Sequence, residues 1–412
     1  DLIIKKPEQI SNVKIRINYY SDNHNAVEQF IEAIKKKIKE KPSPVLYDLL
    51  SYNYSLIGKY ELAFQLLVEY EEKTNGNGNT IFSFAQNALQ NKEYSAALKA
   101  FEYLIKKNTN PQMMPAIKYY YSASLEAAYN EKYKNEIDSW KSYREITIVN
   151  EDEIKKIIKS YEDVVKDYPQ SSFYPQALYR IAEINFNLLN NIQKAESLYT
   201  LINLRAANTD FSILSFLQKG KIAIHQNRFE NAKSLFEKVL LNSRANLNQK
   251  SEANFFIAKI NFWQSNFNEA VKFLSETTKN LSSDFANDAL ELLSLINAIK
   301  RDSINLSKYA EADFLLFIKK FDEAAELFKS LADNKDLFIL NEFASYKLAE
   351  TLLALNNLPV AIKILEDLSG KSKTGIFGDK SLFLLGKIYQ YGIKDKTKSI
   401  QIYQKLLEKD KK

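Results

Sequence analysis

Apolar side chains recur along most of the chain at intervals of three and four residues, which places them on one face of an α-helix. The pattern is clearest where Phe229, Ala232, Phe236 and Val239 follow one another at such spacings. Gly220 lies in the preceding helical stretch, where a small residue lets two backbones approach closely. These positions predict two short amphipathic helices that are joined by a tight turn.

The same predicted helix pair recurs along the chain. A small residue, Ala or Ser, occupies the equivalent position of the second helix in eight segments. Where two such segments follow directly, the small positions are 34 to 38 residues apart. The eight positions are Ala63, Ala97, Ala195, Ala232, Ala270, Ala324, Ala361 and Ser399.

This pattern resembles the tetratricopeptide repeat, in which small, aromatic, Ala, aromatic and aliphatic positions mark each helix pair. Gly220, Phe229, Ala232, Phe236 and Val239 carry the resemblance. It implies an all-α fold, a right-handed α-solenoid of stacked antiparallel helix pairs. It also implies that the first helix of each pair lines a concave surface that binds partners.

The pattern divides the chain into five regions. The first is expected to be an extended arm, because Val13, Ile15 and Ile17 alternate with polar residues as in a strand. In order, the regions are an extended N-terminal arm (1–20), N-terminal repeats (21–110), an irregular helical segment (111–170), central repeats (171–280) and C-terminal repeats with one extra helix (281–412).

The irregular segment is expected to contain a degenerate helix pair, followed by an unpaired helix over 151–167. The second helix of that pair would cover 132–146, with Glu136 at the Ala position and Trp140 at the next aromatic one. The extra helix of the last region is expected over 284–300. The interval from Ala270 to Ala324 predicts it, since this interval exceeds one repeat by about a helix.

A short motif follows the unpaired helix. Tyr168, Pro169 and Ser171 resemble the join between repeats in envelope-associated bacterial tetratricopeptide proteins, such as the outer-membrane assembly lipoproteins. This resemblance implies a periplasmic or outer-membrane-associated protein; a cytoplasmic location is the alternative. The chain begins with Asp1, so it is either a processed chain or a fragment, and a cleaved signal peptide fits the first reading.

Composition narrows the classes of function. Cysteine is absent, which excludes disulfides and thiolate metal sites. The net charge of +6 is a mild bias for 412 residues, so no nucleic-acid partner is expected. No apolar run is long enough to predict a membrane span, and any association with the envelope would run through a protein complex.

The sequence predicts no enzyme, no catalytic residue, no metal site and no cofactor. There are two histidines, His24 and His225, and they are far apart. Gly370-Lys371-Ser372 imitates the end of a phosphate-binding loop, but Leu365 stands where that loop needs Gly.

The resemblance implies that peptides are held by residues one, five and eight positions after the first core position of each first helix. These residues give a mixed aromatic and basic surface, which suits an extended peptide with apolar and acidic side chains. The alternative is that the aromatic residues pack between repeats, and for Trp263 a core role explains the residue equally well. The predicted partner-binding residues are Tyr52, Phe82, Gln86, Tyr179, Phe186, Lys221, His225, Phe255, Lys259, Phe262, Trp263, Tyr346 and Lys387.

The function expected from these features is a non-enzymatic scaffold that binds partner proteins or extended peptides, within a bacterial cell-envelope assembly. Two alternatives stay open. One is a peptide- or glycan-binding module for cell-wall recognition, in which Tyr and Trp stack on sugar rings. The other is the accessory region of a larger enzyme.

Overall fold

The computed structural model describes residues 2–108, 110–134, 138, 140–144, 150–370 and 376–409. Throughout this part of the chain the regular structure is helical, and there is no strand. Consecutive helices pack against each other in pairs. The prediction of an all-α solenoid of helix pairs is therefore confirmed.

The chain forms two compact units. Unit 1 comprises residues 1–133 and 150–181, and unit 2 comprises residues 134–149 and 182–412. The helices of unit 1 are α1 (Leu2–Lys5), α2 (Ile10–Asn18), α3 (His24–Glu40), α4 (Pro44–Leu56), α5 (Tyr60–Thr74), α6 (Asn79–Gln90), α7 (Tyr94–Lys107), α8 (Met114–Tyr133) and α9 (Glu151–Asp167), with a 3-10 turn at Pro7–Gln9. Helix α10 (Phe173–Asn187) passes from unit 1 to unit 2 after Ile181.

Unit 2 continues with the regular repeats. Its helices are α11 (Ile192–Arg205), α12 (Asp210–His225), α13 (Phe229–Leu240), α14 (Leu247–Trp263), α15 (Phe267–Thr278), α16 (Ala286–Ile299), α17 (Ser303–Phe317), α18 (Phe321–Ala332), α19 (Ile339–Ala354), α20 (Leu358–Gly370), α21 (Gly378–Lys387) and α22 (Lys396–Lys409). A 3-10 turn at Lys335–Leu337 precedes α19, and a π-helical turn at Ile388–Ile393 follows α21.

The small positions hold the helix pairs together as the repeat pattern predicts. All seven predicted alanines are fully buried, and Ser399 is buried as well. A side chain at Gly220 would place its first carbon 2.5 Å from the ring of Phe236, which is closer than real side chains approach. At the last pair, the Ser399 hydroxyl donates a hydrogen bond to the Gly386 carbonyl over 3.1 Å. Both glycines therefore lie where two helices of a pair touch.

Within the regular pairs of unit 2 the chain reverses through a residue with left-handed backbone. In the turn after α12, the Arg228 N–H donates to the Ala223 carbonyl over 2.8 Å, which closes the end of the helix. The same bond recurs in the next three turns. The left-handed residues are Asn227 (φ 57°), Ser265 (φ 60°), Lys319 (φ 64°) and Asn356 (φ 59°).

The expectation of an extended N-terminal arm is wrong. Residues of this region form α1, the 3-10 turn and α2. Ile10, Val13 and Ile17 are spaced by three and four residues, and this helical spacing places Val13 and Ile17 in the core while Ile15 stays exposed. The alternation of apolar and polar residues was compatible with both periods, and packing against α4 favours the helix.

The predicted helix pair in the irregular segment is also wrong in part. Helix α8 extends to Tyr133, and residues 140–144 form turns and bends, so Trp140 does not lie on a helix. Glu136 lies outside the described residues. The predicted helix over 151–167 is confirmed as α9, but it is not unpaired, because it packs against α8. The extra helix is confirmed as α16, which packs against α15 and α19.

None of the helices in the described ranges is both long and apolar enough to cross a membrane.

Candidate functional site

A cavity of about 400 Å³ opens in unit 2 between the first helices of successive pairs. Helices α14, α17 and α19 form three sides, and the extra helix α16 forms another. Aromatic side chains make up much of the wall, while charged side chains project from each of the four helices. Its aromatic wall consists of Phe255, Phe256, Phe285, Tyr309, Phe317 and Phe343. We refer to this space as the unit 2 cavity.

One charged group of the cavity is built around Asp313 on α17. Its carboxylate forms an ion pair with Lys259 and accepts a hydrogen bond of 2.6 Å from Nε1 of Trp263. The Lys259 ammonium also lies 5.0 Å from the Trp263 ring centroid. Only 7% of the Asp313 side chain is exposed. A carboxylate this deeply buried needs such partners, because its loss of hydration is otherwise uncompensated.

A second charged group joins Lys347 and Glu350 on α19, whose side chains are 2.7 Å apart. Burial on its own lowers the pKa of Lys347. The Glu350 carboxylate and nearby tyrosines, including Tyr143, outweigh burial and hold the pKa of Lys347 well above its usual range. Lys347 is therefore a fixed positive charge in the wall of the cavity.

The third charged group is Asp288 on α16. It forms no hydrogen bond or ion pair within the part of the chain that the structure describes. Desolvation raises the pKa of Asp288, Lys347 opposes this effect, and Glu291 adds to it. The cavity thus presents, on its solvent-exposed side, a carboxyl group that no described protein group pairs with.

A non-helical stretch of the chain lies over the cavity. We call Asp138 and residues 140–144 the inserted segment. Tyr143 and Ser142 line the cavity, and the Lys347 ammonium lies 5.5 Å from the Tyr143 ring centroid. Desolvation raises the pKa of the Tyr143 phenol to about 12. The first helices of unit 2 therefore already hold a piece of non-helical chain.

Lys141 fixes the middle of the inserted segment. Its ammonium lies 2.6 Å from Oδ1 of Asn356 and 2.6 Å from a carboxylate oxygen of Asp138. Only 4% of the Lys141 side chain is exposed. Asn356 is one of the left-handed turn residues, so the repeat's own turn supplies this contact.

Trp140 fixes the start of the inserted segment. Its ring stacks on Tyr391 with centroids 6.5 Å apart. A side chain at Gly392 would lie 3.2 Å from the indole, so the glycine leaves room for the ring. The indole nitrogen is buried and has no hydrogen-bond partner among the described residues.

Several predicted partner-binding residues gather at this site. Phe255 and Lys259 line the cavity, and Trp263 bonds to its wall. Tyr346 is buried beside it and stacks on Phe377 with centroids 4.8 Å apart. The prediction that Phe262 binds a partner is wrong, because its ring is fully buried in the core.

Other predicted residues of unit 2 lie elsewhere. Phe186 and His225 line a separate cavity of about 580 Å³. Burial, together with the nearby Lys319 ammonium, lowers the pKa of His225 to about 4. Lys221 forms an ion pair of 2.6 Å with Glu252.

Lys387 lies at the end of α21, where its ammonium is 5.2 Å from the Phe383 ring centroid.

Four predicted residues belong to unit 1. The Lys14 ammonium lies 5.3 Å from the Tyr52 ring centroid. Phe82 packs edge-to-face on Phe101 and on Tyr120 between repeats. Gln86 is half-buried, and Tyr179 is buried.

Two residues of the cavity wall were not predicted, although the repeat offsets that gave the other residues also apply to them. Tyr309 and Asp313 precede Ala324 by the same offsets at which Phe255 and Lys259 precede Ala270. Applying the offsets to α17 finds them. The inserted segment gave no such signal.

The expectation of a basic surface suited to acidic side chains is also wrong for this cavity. Lys259 and Lys347 are paired with Asp313 and Glu350. Among the described lining residues, the carboxyl group of Asp288 is the charged group that has no such partner. The lining carries four carboxyl groups and two ammonium groups, so it is acidic in balance.

Comparison with known sequence families supports one of the predicted repeats. Residues 380–412 match the family described as tetratricopeptide repeat. They contain α22 and most of α21, so the family match falls on a helix pair with the same small contact positions as the other pairs. No curated protein sequence matches the chain.

Solved tetratricopeptide-type structures are similar to the chain at low identity. A tetratricopeptide repeat protein from Parabacteroides merdae is 11% identical over 76% of this chain and 98% of its own, with a TM-score of 0.39. Yeast Tom70 is 14% identical over 98% and 92%, with a TM-score of 0.27. The human IFIT1 dimer with m7Gppp-AAAA is 14% identical over 93% and 94%, with a TM-score of 0.31.

Proposed function

We propose that the chain is a non-enzymatic interaction scaffold that binds an extended segment of a partner protein across the unit 2 cavity. One observation carries this proposal. The inserted segment is non-helical, and it already lies against the first helices of unit 2 through Lys141 and Tyr143. A surface that accommodates one such segment has the shape and polar groups to bind another.

The composition of the cavity supports a peptide ligand. Aromatic walls supply large contact area at low entropic cost, and the charged groups of Asp288, Lys347 and Glu350 supply orientation. Because Lys259 and Asp313 are held by each other and by Trp263, the wall is ordered before a partner binds.

We propose further that the scaffold works in a bacterial cell-envelope assembly. The support is the motif of Tyr168, Pro169 and Ser171 at the join between α9 and α10. Fractionation of cells that express the native gene tests this location, and a purely cytoplasmic signal would contradict it.

Selection from a displayed random-peptide library tests the binding function. We expect the full chain to enrich peptides, and these should bind Asp288→Arg at least about ten-fold more weakly, because the reversed charge sits at the cavity wall. Asp284→Arg makes the same charge change on an exposed residue just before α16 and outside the cavity lining, and it should bind like the parent. Enriched peptides that bind all three proteins equally, or no enrichment at all, would contradict a site in the cavity.

A further inference from the structure

We infer that the inserted segment occupies the site where the partner binds and imitates the partner's binding segment. That segment carries an aromatic residue, a lysine one position later and a tyrosine two positions after that lysine. The inference rests on the proposed function of the unit 2 cavity. It follows from three seats that unit 2 provides for Trp140, Lys141 and Tyr143.

The lysine seat is the most specific of the three. The Lys141 ammonium reaches Oδ1 of Asn356, which the turn between α19 and α20 presents in left-handed geometry. The other contact, with Asp138, comes from the inserted segment itself. A partner therefore needs a lysine for the Asn356 side chain and an acidic residue of its own about three positions earlier.

The tyrosine seat lies over the charged wall. The Tyr143 ring faces the Lys347 ammonium at 5.5 Å, an attraction between a cation and the face of an aromatic ring. The Lys347–Glu350 ion pair holds that ammonium in place. An aromatic ring at this position keeps the contact with the cation, which an aliphatic side chain would lose.

The aromatic seat is apolar and imperfectly filled. Tyr391 and the open space at Gly392 accept the ring of Trp140, but the buried indole N–H finds no acceptor among the described residues. A buried donor that makes no hydrogen bond weakens binding. A phenylalanine fits this seat without that penalty, so a partner can displace the chain's own segment.

The cavity also keeps room that the inserted segment does not use. About 400 Å³ stays open beside Tyr143, and Asp288 has no ion pair or hydrogen bond within the described residues. The basic residue after the tyrosine of the inserted segment, Arg144, forms no ion pair with Asp288. A partner that adds a further basic side chain beyond that position reaches this carboxyl group. The partner is therefore a non-helical, aromatic and basic peptide that makes one contact more than the inserted segment.

A labelled peptide with the sequence of residues 138–144 tests the inference by fluorescence anisotropy. The full chain with Trp140→Ala and Tyr143→Ala should bind it, because its own segment no longer holds the seats. The parent chain should bind at least about ten-fold more weakly, because a tethered segment competes at high effective concentration. A peptide with Phe in place of the Trp should bind the double variant at least as tightly, and a scrambled peptide should not bind.

Control variants make each outcome decisive. Trp140→Phe with Tyr143→Phe keeps both rings, so it should exclude the peptide as the parent does. If the double alanine variant is unfolded by circular dichroism, Lys141→Ala provides a second opened chain, which loses the Asn356 contact. Adding Asp288→Arg to an opened chain should leave the 138–144 peptide's affinity within a few-fold, whereas a peptide extended by a lysine should lose about ten-fold.

Two results would overturn the inference. Equal binding to the parent and the opened chains would show that the segment does not compete. If the peptide binds no opened chain while library-selected peptides do bind, the inserted segment does not imitate the partner, and the proposed function is unaffected. A parent chain that light scattering finds as a dimer, and that the double alanine variant converts to monomer, would assign the seats to a second copy of this chain instead.

Discussion

The first helices of units 1 and 2 present the same repeat positions, but the two faces are covered differently. In unit 1, Asp48 and Tyr52 on α4 contact Lys14 of α2, at 2.8 Å to the carboxylate and 5.3 Å to the ring centroid. A regular helix covers that face. In unit 2, the non-helical inserted segment lies on the corresponding face and leaves the cavity partly open.

The two faces also differ in how deeply their charges are buried. The side chains of Lys14 and Asp48 are 24% and 18% exposed, whereas those of Lys259 and Asp313 are 14% and 7% exposed. Removing water strengthens the attraction between the two charges of an ion pair. It also makes the loss of one partner costly, because the remaining charge stays buried. Equivalent repeat positions thus serve ordinary packing in unit 1 and an ordered, partly open site in unit 2.

The largest expected effect separates these two ion pairs. Asp313→Ala leaves the Lys259 ammonium buried without its carboxylate, and should lower the free energy of unfolding by about 3–5 kcal/mol. Asp48→Ala removes a more exposed partner and should cost about 1 kcal/mol or less. Urea unfolding of both variants measures the difference. Similar losses at the two positions would contradict the contrast between the faces.

A smaller effect tests what the two units share. Ala97 in α7 and Ala232 in α13 are both fully buried between paired helices. Replacing either with Leu should cost about 1–3 kcal/mol, because the pair has no room for the larger side chain. Ser95→Leu, on the exposed side of α7, is the matched control and should be tolerated. If one alanine accepts Leu without loss, that helix pair does not have the packing described.

The next prediction concerns pH and belongs to unit 2. Burial lowers the pKa of His225 to about 4, whereas an unfolded histidine titrates near about 6.5. Between these values the unfolded chain binds more protons, so the stabilisation from neutral His225 is complete above pH 6.5 and is lost as the pH falls towards 4. His225 is half-buried, so the change should be smaller than that of Asp313→Ala.

Unfolding in urea at pH 7 and at pH 5 measures this effect. The midpoint of the parent chain should fall more between these values than that of His225→Phe, which keeps an aromatic ring against Phe317 but cannot titrate. Carboxyl groups contribute equally to both proteins and cancel. Parallel pH profiles would show that His225 titrates alike in the folded and unfolded chains.

The smallest expected effect lies on the outer surface of unit 1. Lys99 and Glu61 form an ion pair of 2.7 Å, but their side chains are 51% and 57% exposed. Solvent and salt screen such a pair, so Lys99→Ala should leave the thermal midpoint unchanged within error. A clear loss of stability would mean that burial does not separate structural from superficial ion pairs here.

The repeat fold could be predicted because each helix pair carries its own local evidence. The buried alanines and Gly220 follow from spacing alone, and so do α9 and α16. The N-terminal region could not be decided, because Val13 and Ile17 fit a period of two as well as a helix. Packing against α4 favours the helix over the strand, and the local sequence pattern carries no information about this contact.

The candidate site was predictable only where it repeats. Phe255 and Lys259 follow from the repeat offsets, and Asp313 follows from the same offsets on α17. The inserted segment does not, because its contacts join residues that are far apart in sequence. The Lys141–Asn356 contact spans 215 positions. A segment outside the repeat pattern has no period from which its contacts could be predicted.

The most direct test of a peptide site in unit 2 is a crystal structure of the Trp140→Ala, Tyr143→Ala chain with the peptide of residues 138–144. We expect the peptide lysine to reach Asn356 and the peptide tyrosine to lie over Lys347, as Lys141 and Tyr143 do in the parent chain. A peptide bound at another surface, or a well-ordered cavity that stays empty at saturating peptide, would contradict it.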